Sequence, residues 1–125
     1  MPKEVMVLTG CLGFSVQALV ASLLSALDVT PGKDGAVLSV EQSMSHTGSV
    51  IYVTTTWIET HTLTGVAGVV LHVHLVSEQL EAPVDPQETL TVTVGAERPE
   101  RLADAVEVLR RKGLSPAQQR TPAPS

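Results

Sequence analysis

Aromatic side chains are nearly missing: Phe14, Tyr52 and Trp57 are the only three in 125 residues. Single-stranded nucleic acid is usually held by stacking its bases on aromatic platforms, so that mode of binding has almost no material here. Positive charge is scarce too. Eight Lys and Arg stand against 13 Asp and Glu, a formal net charge of -5, whereas affinity for a phosphate backbone rests on clustered cations. The one basic cluster, Arg110, Arg111 and Lys112, ends a predicted helix, where the helix dipole favours cations with no phosphate present. No nucleic-acid partner is expected. Cys11 is the only cysteine, which excludes an internal disulfide and any multi-cysteine zinc site and makes a reducing, cytoplasmic compartment the default. Cys11 itself reads as a small apolar residue in a tight turn. A reactive thiol there would need the positive end of a helix starting at Ser15.

Charge of either sign is absent from Val5 to Leu27, and Gly10 and Gly13 interrupt that run where a strand would hand over to a helix. As a globular element the run is a short strand, Val5 to Leu8, a glycine turn from Thr9 to Phe14, and a helix capped by Ser15 and reaching Leu27. Val16, Leu19, Val20, Leu23, Leu24 and Leu27 recur at three- and four-residue spacing and form one apolar stripe. As a membrane segment the run has about the ~20 residues a hydrocarbon layer demands, but its glycines, serines and Gln17 dilute it, and Lys3 is offset by Glu4. A cleaved export signal is poorly matched near Ser25 and Ala26.

Two short resemblances sit in the same run. Leu8, Thr9, Gly10 and Cys11 resemble the lipobox of bacterial lipoproteins, which implies an envelope protein lipidated on the cysteine; the apolar run ahead of it, Val5 to Leu8, is shorter than that motif expects. Val7 to Phe14, followed by Leu19, Val20, Leu23 and Leu24, resembles the opening of the extended short-chain dehydrogenases, whose glycine fingerprint brings a pyrophosphate to a helix N-terminus. Val16 replaces the third glycine, no acidic residue closes a following strand at the distance that family requires, and no Tyr-x-x-x-Lys pair exists. That family's function is therefore not carried over, and the glycines read as a tight strand-to-helix connection.

Beyond Asp28, the segment Thr30 to Gly35 carries turn residues. Ala36 to Val40 alternates as a strand, and Glu41 to Ser49 reads as a polar connection. Val50 to Ile58 and Val66 to Val76 are rich in β-branched residues and read as strands, joined by a hairpin loop over Glu59 to Gly65. Pro83 to Glu88 is a turn region leading to Thr89 to Val94, where Leu90, Val92 and Val94 alternate with threonines. A last helix runs from Pro99 to about Lys112, with an apolar stripe of Leu102, Ala105, Val106 and Leu109, and Gly113 stops it. Hydrophobic residues at 43% and charged ones at 17% are too apolar for a disordered chain. The expectation is one α+β domain over residues 1–114 and a disordered tail over 115–125, with two helices on one face of a mainly antiparallel sheet of four to five strands. A ferredoxin-like sandwich is the first choice.

His72 and His74 are the candidate metal ligands, because residues two apart on a strand project from the same face. Zinc is the ion such a pair suggests, with His61 or His46 as a third ligand. Glu59 and His61 form an acid–base pair only if the strand extends over both. Ser43, Ser45, His46 and Ser49 lie in a polar segment where no nucleophile elbow is present. With no complete catalytic set, the first reading is a non-catalytic homo-oligomeric binding or assembly protein that acts through a sheet face or subunit interface on a small-molecule or protein partner. The alternatives are a small metal-dependent enzyme at His72 and His74, and a membrane-anchored or lipidated envelope protein using residues 5–27.

Overall fold

The structure is a computed structural model that describes residues 3–48, 53–80 and 85–117. In chain order the elements are β1 (Lys3–Gly10), α1 (Val16–Ala26), β2 (Val37–Gly48), β3 (Val53–Thr64), β4 (Val69–Gln79), β5 (Gln87–Ala96), α2 (Pro99–Arg111) and β6 (Ser115–Pro116). The strands form one six-stranded sheet in the order β2-β3-β4-β5-β1-β6. Every neighbouring pair is antiparallel. This overturns the expectation of a four- to five-stranded ferredoxin-like sandwich, because β2 to β5 form a continuous meander and no two neighbouring strands run parallel. The sixth strand is β6, which forms where a tail was expected; in addition, two polar segments that read as connections, Glu41 to Ser49 and Glu59 to Gly65, continue as strand to Gly48 and Thr64.

The two helices make the connections that a hairpin cannot. β1 and β2 run in the same direction with β5, β4 and β3 between them, so the chain must return over the sheet to enter β2. The 11 residues of α1 span about 16 Å, close to the ~19 Å across four strand spacings. Ser15 caps α1, its Oγ accepting from the Ala18 amide at 3.5 Å. All six residues of the apolar stripe from Val16 to Leu27 are buried, between 0% and 7% exposed. They meet Met6, Leu63, Leu71, Val73, Leu75, Leu90, Val92 and Val94, the inward residues of β1, β3, β4 and β5. Leu102, Ala105 and Leu109 of α2 join the same cluster. Each of the Val, Leu and Met side chains contributes roughly 1.5–3 kcal/mol by leaving water, so this aliphatic layer holds the fold together.

α2 follows the expected dipole pattern, with Glu100 in its first turn and Arg110 and Arg111 in its last. Arg111 bonds Glu107 at 3.4 Å, and the Lys112 ammonium stands over the Phe14 ring at 5.4 Å. Beyond Gly113, the segment expected to be a tail begins with a short pairing: Ser115 and Pro116 lie beside Val7 and Met6. The expected tail beyond residue 117, the turn over residues 83 and 84, and Ser49 to Tyr52 lie outside the described residues. The charge-free run divides between β1 and an 11-residue helix, and no helix of the described residues is long and apolar enough to cross a membrane.

Candidate functional site

Antiparallel register sorts the chemistry-bearing residues onto two faces. On the face away from the helices, one row across the sheet is Val5, Thr93, His72, Thr62 and Ser39, and the next is Val7, Thr91, His74, Thr60 and Glu41. The His72 and His74 Nδ1 atoms bond the Thr62 and Thr60 hydroxyls at 3.1 and 3.0 Å. Their rings lie parallel, 8° apart, with centroids 6.4 Å from each other. Strand geometry produces this order, since residues two apart stack along one face and each imidazole meets the side chain directly opposite. The result is a half-buried field of hydroxyls and imidazoles, interspersed with aliphatic side chains and with no helix over it among the described residues.

The shared face expected for His72 and His74 is present, but the third ligand is not. His61 pairs across from Val73 and Val40, and His46 from Thr55, on the helix side of the sheet. The described residues contain no group of three His, Cys, Asp or Glu able to hold a metal ion. Zinc–nitrogen bonds are about 2.0–2.1 Å, so the two parallel rings would have to turn toward each other to share an ion.

On the helix side, Glu59 and His61 do come together, because β3 extends past both. The His61 Nε2–H donates to Glu59 Oε2 at 2.7 Å, and Gln42 Nε2 donates to Glu59 Oε1 at 3.0 Å. Glu59 is 8% and His61 2% exposed. Burial of the Glu59 carboxyl opposes ionisation, but hydrogen bonds from His61 and Gln42, the attraction of His61 and a bond from the Trp57 side chain outweigh it. The carboxyl is held below the ordinary Glu range. His61 Nδ1 is buried without a hydrogen-bond partner among the described residues.

A carboxylate that orients an imidazole is half of an acid–base device. Among the described residues, neither candidate serine shares its face. Ser43 and Ser45 stand opposite Ile58 and Thr56, on the other side of the sheet, and His46 bonds Thr55 at 3.0 Å. Cys11 is exposed in the loop before α1, and the neighbouring Leu12 amide is tied to Glu88 Oε1 at 3.0 Å. Gln42 and Trp57 were not singled out from sequence, although Gln42 shares its parity with Val40 and Met44 and so would have marked the inward face had β2 been read to full length.

Beside this buried pair the helix layer ends. Val40 and Met44 of β2 point to the helix side yet are 47% and 60% exposed, with Trp57 half-buried across from Met44. No family model, curated protein or solved structure matches this chain.

Proposed function

We propose that this chain is a small, non-catalytic, homo-oligomeric binding protein of the cytoplasm that meets a protein partner through the uncovered face of its sheet. The observation that carries this reading is the field of threonines and histidines on that face, ordered by its own hydrogen bonds and left without a covering element among the described residues. An open sheet face has no walls, whereas small ligands are generally held in concave, largely apolar pockets. Side chains already locked in place lose little freedom on association, which favours binding. The sorting of Ser43 and Ser45 away from Glu59 and His61 supports a non-catalytic role, and the lack of a third ligand beside His72 and His74 among the described residues weighs against a metal-dependent one.

A photo-crosslinking residue placed at Thr91 tests this in cells, with Glu107 on α2 as the control position. Discrete adducts to another protein from Thr91 and none of the same size from Glu107 are the expected outcome. An identical pattern from both positions, or no adduct from Thr91, would contradict the reading.

A further inference from the structure

The two edges of the sheet are built differently. At one edge, β1 is covered by β6, which is two residues long, ends in Pro116, and is followed by the Ala117 amide bonding the Val5 carbonyl at 2.8 Å. Short edge strands and proline are devices by which a sheet avoids further pairing. The other edge, β2, has none of these. It is 12 residues long, holds an unbroken one-to-one register with β3 from Val37 to Gly48, and contains no Lys, Arg or Pro. Its single charge is Glu41. Except for half-buried Leu38, its residues are exposed, and a row of backbone donors and acceptors on its outer side has no partner strand among the described residues.

We infer that the partner of this edge is the β2 strand of a second copy, paired antiparallel about a two-fold axis at Gln42. This deepens the homo-oligomeric part of the function proposed above and rests on it. A two-fold axis that joins identical strands antiparallel must stand perpendicular to the sheet, so opposed residues share a face and one residue opposes itself. With Gln42 at the axis, nearly the whole strand overlaps: Val40 faces Met44 of the second copy, Ser39 faces Ser45, Leu38 faces His46, and Glu41 faces Ser43 rather than its own counterpart. The exposed apolar residues of the helix side thus meet each other. An axis at Glu41 would set two carboxylates face to face, which is destabilising.

Pairing over this length supplies about twelve backbone hydrogen bonds, within the ~10 ± 5 of an ordinary interface. The two six-stranded sheets become one, with all four helices on the same side. Each ledge of Val40, Met44 and Trp57 becomes the floor between two copies of α1, whose outward residues Gln17, Ala18, Ala21, Ser22 and Ser25 carry no charge.

The test combines mass and cross-linking. Light scattering of the intact chain should give twice 13.2 kDa, and the Val40→Lys, Met44→Lys variant, which alters exposed side chains only, should return to the single-chain mass with its circular dichroism unchanged. In a Cys11→Ser background, Gln42→Cys should form a disulfide-linked dimer under mild oxidation, because opposed residues of an antiparallel pair lie within disulfide range. Val37→Cys, which faces Thr47, should cross-link at least tenfold more slowly. A single-chain mass for the intact protein would overturn both this inference and the homo-oligomeric reading. A double mass that survives the lysine variant, or that comes without the cross-link in Gln42→Cys, would overturn the β2 pairing alone.

Discussion

At the scale of single residues, the Glu59–His61 pair is where the fold holds polar groups against its aliphatic layer. One carboxylate accepts from His61 and Gln42 on its two oxygens, and a glutamine in its place would offer one acceptor oxygen to those two donors. Glu59→Gln should therefore destabilise the protein by about 1.5–3 kcal/mol near neutral pH, the range for hydrogen bonds to a charged group, as read from denaturant midpoints. The pH dependence follows from the lowered native pKa. In acid the unfolded chain binds the proton more readily than the folded one, so stability from Glu59 is complete above the ordinary Glu value of 4.5 and is lost as pH falls through the lower native value. Wild type should lose more stability than Glu59→Gln below pH 4.5. Equal slopes for the two proteins would mean that Glu59 is not held ionised by its neighbours.

At the scale of elements, the turns that close the sheet depend on backbone geometry that few residues tolerate. Gly65, between β3 and β4, has φ +83°, and a Cβ there would collide with the carbonyl of Gly35 in the loop before β2. Gly65→Ala should cost at least ~1–3 kcal/mol, because it adds a clash to an unfavourable left-handed conformation. Gly13→Ala should change stability by less than ~1 kcal/mol, since nothing lies within 4 Å of a Cβ at that position and its φ is not positive. Thermal or denaturant unfolding of the two variants, side by side, checks the contrast; similar losses would show that the approach of the two loops is unimportant.

The elements also show what can and cannot be read from sequence. Both helices and the apolar centres of β4 and β5 were legible, because each buries a continuous stripe and burial imposes periodicity. β2 was not, beyond Val40. An edge strand exposed on both faces gains nothing from alternating apolar and polar residues, so Glu41 to Gly48 carries no such signal. The second half of β3 was hidden for a different reason: Glu59 and His61 occupy inward positions while Thr60 and Thr62 face out, so polarity does not distinguish the faces. The pairing of Glu59 with His61 was foreseeable only as a condition on strand length, and the separation of His61 and His46 from His72 and His74 required the register.

At the scale of the whole molecule, one side of the sheet is covered by two helices, and the other side, uncovered among the described residues, presents threonines and histidines interspersed with Val5, Val7, Ile58, Val70 and Val76. One edge is blunted by β6 and the other extends freely over 12 residues. The pairing proposed at β2 would leave the Thr and His face open on both copies. Site-resolved amide hydrogen exchange across β2 at high protein concentration is the most direct test. In an isolated chain only alternate amides of β2 bond to β3, so protection should alternate along the strand. Pairing with a second copy predicts continuous protection from Leu38 to Thr47 that fades on dilution; an alternating pattern that persists at every concentration would contradict it.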